Sequence, residues 1–346
     1  MFTTRLASTL SLTLGGKRFD VPGGNLRAVS ADMTSHGFNA SVSFIVADNE
    51  ALGGKFKDEL LTDFIDTKRI DVSLLLEPEF PEPESEETAS DAVIELKGIV
   101  TSRTMSESVV RVRDERMVLF RRYTVEFTDP AQALWREHFP VELHTDKTVE
   151  QVLRIHTGAD IQLICDFAPL TEQLQIVFLN LEERWRASFY DFVMWYLDAR
   201  NGVWTYDYET RKYTISTAPP TPKVKDNAIG LDEAHTTVRL PEPPRYKRHV
   251  LNSYTESPQN RLVENNPDAF TGIRRDALLR TQIAQPVDNR VSVDKKRMEV
   301  AKPELDMSFA RFPSTAVYPG MEMTFLAQNM FTTERIMGAG KWIVHG

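Results

Sequence analysis

Apolar residues recur at every second position through most of the first third of this 346-residue chain. Leu6, Leu10, Leu12 and Leu14 alternate with small polar residues, Gly15-Gly16-Lys17 makes a turn, and Phe19 and Val21 lie on the return. The same period of two runs through Ala40, Val42, Phe44 and Val46, and again through Ile70, Val72, Leu74 and Leu76. Such alternation puts one face of a strand in a core and the other in water. Residues 51–66 read as a short helix or loop. Strands resume at Val93–Val100, Ser108–Val112 and Met117–Phe127. Residues 1–128 thus read as roughly six strands with almost no helix, an antiparallel barrel or sandwich.

The period changes after Asp129-Pro130, which stops the last strand. A short Trp135-bearing segment and an extended piece, Phe139–Leu143, lead to a helix. Thr148 with Gln151 three residues on is a capping box; Val149, Val152, Leu153 and His156 share one face, and Gly158 is expected to close the helix at positive φ. A strand pair, Ile161–Cys165 with Leu174–Phe178, is expected next. A second helix is expected from Glu182 to about Arg200, where Trp185, Phe189, Phe192 and Tyr196 recur at helical spacing. Asn201-Gly202 ends it, and a hairpin, Val203–Tyr208 with Lys212–Thr217, turns at Glu209-Thr210-Arg211. Trp185, Phe189, Phe192, Tyr196 and Trp204 are expected to form the structural core of this α+β insert. Trp195, Tyr206, Tyr208 and Tyr213 are expected to share that core.

Residues 218–226 form a linker by composition, and Pro241-Glu242-Pro243-Pro244 follows. Strand-like pieces then appear at Arg245–Thr255, Met298–Ala301, Asp306–Arg311, Met321–Leu326 and Lys341–His345. A short helix is expected within 272–290. The chain therefore reads as a mainly β protein: a β-barrel over 1–128, an α+β insert with hairpin and linker over 129–240, and a second β-barrel over 241–346.

Charge changes this picture in one place. Residues 77–91 carry seven acids and no Lys or Arg, and removing them from the formal −9 leaves −2. The run has too few apolar residues to pack, so a solvated loop is expected. The formal −9 argues against a nucleic-acid binder, because phosphate contacts need a basic face. No apolar stretch approaches the ~18 residues that span a bilayer. The single cysteine, Cys165, excludes an intrachain disulfide, and the N-terminus alternates rather than forming a signal peptide.

Motifs that carry chemistry fail one by one. Gly338-Ala339-Gly340-Lys341 lacks the Gly and Ser/Thr of a phosphate loop, with Arg335 and Trp342 in those places. The seven histidines make no HxxxH or HExxH spacing, so a zinc site is not expected; His138, His144 and His156 fall in the junction region, where the alternative to ordinary surface or partly buried histidines is that two of them converge in space. Cys165 sits in an apolar strand as a packing residue. No catalytic, cofactor or metal residue is assigned, and shape and association are left as the expected function.

Three ordered landmarks then carry a resemblance. Tyr123-Thr-Val-Glu-Phe-Thr-Asp-Pro, Trp135, Val141-Glu-Leu-His and Thr148-Val-Glu-Gln-Val-Leu come first. Leu174-Gln-Ile-Val-Phe, Glu183, Ser188-Phe-Tyr-Asp-Phe-Val and Asn201-Gly-Val-Trp-Thr-Tyr come second. Tyr318-Pro-Gly-Met-Glu-Met-Thr-Phe with Lys341-Trp-Ile-Val-His comes third. Their order and spacing over about 120–345 resemble the VgrG and phage late-control-D tail-hub family. The resemblance implies two tube-forming β-barrel domains per chain and a homotrimer. Such a trimer adapts a hexameric inner-tube protein to a trimeric spike, within a baseplate assembled in the cytoplasm before joining a tail or injection apparatus. Members of the family usually continue into a spike-forming region with no counterpart before Gly346, so the spike is expected as a separate polypeptide or a continuation. Two other readings stay open: a tail-associated cell-wall hydrolase, and a carbohydrate-binding module if Trp195 and Trp204 are exposed and coplanar.

Overall fold

A computed structural model describes residues 5–48, 58–79, 93–111, 117–185, 187–224, 229–230, 234–239, 247–252, 259–264, 274–279, 288–292, 294–295, 304–309, 317–323, 325–326 and 342–343. The first unit has strands β1 (Arg5–Leu14), β2 (Lys17–Val21), β3 (Leu26–Thr34) and β4 (Gly37–Asp48). Helix α1 (Leu60–Ile65) and strands β5 (Ile70–Glu79), β6 (Ile94–Arg111) and β7 (Met117–Thr128) follow. They form one antiparallel sheet of order β2-β1-β5-β6-β7-β4-β3.

The two ends of that order meet. β2 and β3 are halves of one chain run, broken by a 3-10 turn at Gly23–Asn25. Within four residues, 22–25, the chain leaves β1 and joins β4. Gly23 lies so close to β1 that a Cβ there would sit 2.6 Å from the Ser8 carbonyl oxygen. Asn25 Nδ2 donates to the Ile45 carbonyl of β4 at 2.8 Å. The sheet is therefore a closed six-stranded barrel. Alternation fills it: Leu10, Leu12, Leu14, Val42, Phe44, Val72, Leu74, Tyr123, Val125 and Phe127 are buried in one core. α1 packs on that core through Leu60 and Phe64, and Phe64 meets Tyr123 edge-on at 4.8 Å. Tyr123 in turn stacks on Phe44 and donates its hydroxyl to the buried Asp58 carboxylate, which Arg121 also faces at 3.4 Å.

Two details differ from the sequence reading. The pieces expected at Val93–Val100 and Ser108–Val112 fall in one strand, β6, which pairs with β5 over Ile94–Ile99 and with β7 from Ile99 to Arg111, Val112 lying outside the described residues. β3 was not legible, because its burial is patchy rather than alternating. Beyond Glu79 the acidic run lies outside the described residues.

The insert comprises α2 (Pro130–Trp135), β8 (Val141–Thr148), α3 (Val149–His156), β9 (Leu163–Asp166), β10 (Gln173–Asn180), α4 (Phe189–Arg200), β11 (Val203–Asp207) and β12 (Lys212–Ser216). The Thr148–Gln151 capping box of α3 is present. Its far end is not a positive-φ glycine: Thr157 is the extended C-cap, and its hydroxyl donates to the Leu153 carbonyl at 2.7 Å, satisfying an end group without Gly158. α4 starts at Ser188, not Glu182, because Ser188 and Asp191 form a second capping box. Asn201 ends it at φ 62°. β9 and β10 are both strands but not partners: β9 pairs in parallel with β12, and β10 pairs antiparallel with β8.

In the last third, β13 (Lys223–Val224), β14 (Ile229–Gly230) and β15 (Ala234–Arg239) pair with later strands. With β16 (Lys247–Asn252), β17 (Gln259–Glu264), β18 (Arg274–Leu279), β19 (Glu304–Phe309), β20 (Met321–Met323), β21 (Phe325–Leu326) and β22 (Trp342–Ile343) they make small sheets. Lys223–Val224, within the expected linker, pairs in parallel with β20. Of the range 272–290, where a short helix is expected, Arg274–Leu279 is instead β18, held in parallel register on β16, while helix appears only at its end, over residues 288–290 and on to 292. Met298–Ala301 lies outside the described residues. The fold is mainly β with a small α+β insert.

Candidate functional site

For a protein without a catalytic motif, the candidate sites are the seam that makes barrel and insert one body and the surface left uncovered. The seam is built on Asp129, the fully buried N-cap of α2. Its carboxylate accepts from Phe38 N of β4 at 3.2 Å, from Gln132 N at 3.1 Å and Nε2 at 2.7 Å in α2, and from the Tyr213 hydroxyl of β12 at 2.6 Å. Burial pushes the Asp129 carboxyl above the usual range, against the pull of those four donors. It pushes the Tyr213 phenol up as well, with the Asp129 charge adding to it. Gly37 stands in the left-handed region at φ +145°, and a Cβ there would fall 2.1 Å from Asp129 Oδ2. The β3–β4 turn docks beside it. Trp204 Nε1 donates to the His36 carbonyl at 3.0 Å, and Tyr206 N to that of Ser35 at 2.8 Å. The Tyr208 hydroxyl lies against the carbonyls of Thr34 and Gly37. Tyr318 of the last third stacks on Tyr208 at 5.4 Å and donates to the Val93 carbonyl at 3.0 Å.

The aromatic residues singled out in the sequence divide. Phe189 is fully buried, edge-on to Trp135 at 5.3 Å and 4.7 Å from the His156 ring. Tyr196 is buried and donates to the Pro169 carbonyl, with the Arg200 guanidinium 4.1 Å from its ring. Trp204 is buried between Trp135 and Tyr213. Phe192 is half-buried against Phe189. The Trp185 side chain lies outside the described residues. Trp195 does not join the core: it is 64% exposed while Trp204 is 2% exposed. The two therefore make no shared exposed platform for a sugar. Cys165 is half-buried, and burial pushes its thiol up to about 11, away from thiolate chemistry.

Among the described residues, one uncovered apolar surface lies on the β8–β10 ribbon. Val141 and Leu143 share one face of β8; Ile176 and Phe178 share the same face of β10, with Phe178 opposite Leu143. All four are more than half exposed, Ile176 at 64% and Leu143 at 62%. The other face turns His144, Val177 and Leu179 inward. A contiguous exposed apolar face marks an association surface. Spacing hints at this face, but only the pairing of β8 with β10 assembles it.

The three junction histidines, for which the sequence suggests no zinc site, are brought together by the fold. His138 follows α2, His144 lies on the inner face of β8, and His156 ends α3. His138 Nε2 is 2.8 Å from His156 Nδ1. Glu142 Oε2 lies 3.3 Å from His144 Nε2 and 3.8 Å from His156 Nε2. Burial holds the His156 and His138 imidazoles below their ordinary pKa, with Glu142 pulling the other way. No spacing rule reveals this cluster, because it depends on β8 lying alongside the C-terminal end of α3.

No known family profile matches the chain, and no curated protein matches it. Solved structures do. The chain is similar to a chain of the Francisella PdpA-VgrG complex in its half-lidded form, at TM-score 0.63 and 12% identity, over 96% of this chain and 52% of that one. It spans about half the length of that chain. It is also similar to the 43 kDa tail protein of prophage MuSo2 from Shewanella oneidensis, at TM-score 0.56 and 12% identity, over 97% of this chain and 92% of that one. Among the described residues no helix is long and apolar enough to cross a membrane. At these identities the likeness is one of fold, and the fold is that of VgrG-containing and phage tail structures.

Proposed function

We propose that the chain is a structural hub of a contractile injection machine, a homotrimer that adapts a hexameric inner-tube ring to a trimeric spike. The observation that supports it most is the end-to-end likeness to a tail protein, 97% of this chain against 92% of the other. A likeness confined to the barrel would support only a common module. In this reading residues 1–128 and the β unit after the insert are the two tube domains, so three chains supply six barrels. The apolar face of Val141, Leu143, Ile176 and Phe178 supports association with neighbouring copies or baseplate proteins, since each of these side chains, a little over half exposed, gains about 1–2 kcal/mol when covered. Copies related by rotation close a ring, which matches tube to spike by symmetry rather than by chemistry. The chain carries no reaction in this reading.

Mass photometry and cryo-EM of the purified chain test it. A ring of three copies around an axial channel is expected. A chain that stays monomeric at micromolar concentration, alone and with tube and spike proteins added, would overturn it.

A further inference from the structure

We propose that Glu142, His144 and His156 form a binding site for one divalent transition-metal ion of the zinc class, with His138 orienting His156. The three donor atoms all lie within 4.8 Å of one another. Their separations from Glu142 Oε2, 3.3 Å and 3.8 Å, approach the edge of a tetrahedron around an ion with ligands at about 2.0–2.2 Å, which is roughly 3.4 Å. Neither His144 Nε2 nor His156 Nε2 has a hydrogen-bond partner, although both are buried. Each faces the carboxylate without the alignment of a hydrogen bond. A buried polar atom left in this way costs free energy unless something else occupies it.

The local structure provides the rest. Glu142 and His144 are two residues apart on one strand, so they share the inner face of β8. His156 approaches from the end of α3, and its backbone carbonyl is fixed by Trp135 Nε1 at 3.0 Å. When His156 Nε2 offers its lone pair, Nδ1 carries the proton and donates it to His138 Nε2. This is the outer-shell bond that metal-binding imidazoles use to set their orientation. Two imidazoles and a carboxylate leave one tetrahedral position for water. The ion would tie β8 to the end of α3, beneath the ribbon whose opposite face exposes Leu143 and Phe178. The inference does not depend on the proposed hub function.

The test uses the full chain, freed of any affinity tag and stripped with a chelator. Co2+ should saturate at one equivalent per chain, with the visible absorption of a tetrahedral ion, and Zn2+ should displace it. X-ray absorption should place nitrogen and oxygen neighbours at about 2.0–2.2 Å. Glu142→Gln, at a half-exposed carboxylate that should not disturb folding, should weaken Zn2+ binding. His144→Ala should lose the absorption, while melting in chelator as the wild type does. His138→Gln should keep the one-to-one stoichiometry with affinity lower by roughly 10–100-fold. His36→Ala is the control and should bind normally. Absence of a saturable one-to-one site, or unchanged binding in both Glu142→Gln and His144→Ala, would overturn the proposal.

Discussion

Replacing Asp129 with alanine should unfasten the barrel from the insert. The side chain accepts four hydrogen bonds from three elements, in a fully buried position. Loss of the N-cap interaction with Gln132 N costs about 1 kcal/mol. Phe38 N, Gln132 Nε2 and the Tyr213 hydroxyl would each lose a charged acceptor, at about 1–3 kcal/mol apiece when left dry. Removing a buried charge returns part of that, and water can enter the vacated space. The net cost should be about 3–5 kcal/mol, the scale of removing one partner from a buried charged network. Tyr213→Phe removes one of the four bonds and orphans Ala131 N, so it should cost about 1.5–3 kcal/mol. Urea unfolding followed by tryptophan fluorescence is the assay, since Trp135 and Trp204 lie beside the seam. The pH dependence gives an independent sign. The folded-state pKa of Asp129 is raised from its ordinary 3.8, so its contribution is full below that value and declines as pH rises through the folded pKa. The advantage of wild type over Asp129→Asn should therefore widen as pH falls from neutral toward about 4. An Asp129→Ala variant within about 1 kcal/mol of wild type, or an advantage that narrows on acidification, would refute the reasoning.

Other perturbations probe the remaining parts. Phe189→Ala, at a fully buried ring, should cost about 3–5 kcal/mol in the same unfolding assay. Gly37→Ala should cost at least about 2 kcal/mol, because its Cβ overlaps Asp129 Oδ2 and its φ is strained. Leu143→Asp combined with Phe178→Asp should abolish assembly in mass photometry, while leaving the unfolding midpoint nearly unchanged. Cys165 should react slowly with a thiol reagent at pH 8 and rapidly once unfolded, because burial pushes its pKa to about 11.

Much of the architecture is written in local pattern. The alternation of Leu10, Leu12 and Leu14 fills the barrel, and the Thr148–Gln151 box starts α3. The Asp129-Pro130 stop is a helix cap, though its burial and four partners are not visible in the sequence. Where local reading failed, a nearby or distant contact outweighed it. The stripe from Trp185 suggested a longer α4, but Ser188 caps the helix later. Ala277 and Leu278 suited a helix until β16 offered a strand partner.

Period, caps and turn residues, which act over a few neighbours, were enough to indicate a mainly β chain interrupted by an α+β insert. Which strands pair, how β2 and β3 close the barrel, why Trp195 stays outside the aromatic core, and where His138, His144 and His156 meet were decided only in three dimensions. A strand's alternation specifies which face is apolar but not which strand lies beside it. Residues far apart in sequence converge through the packing of whole elements, and no short-range spacing encodes that.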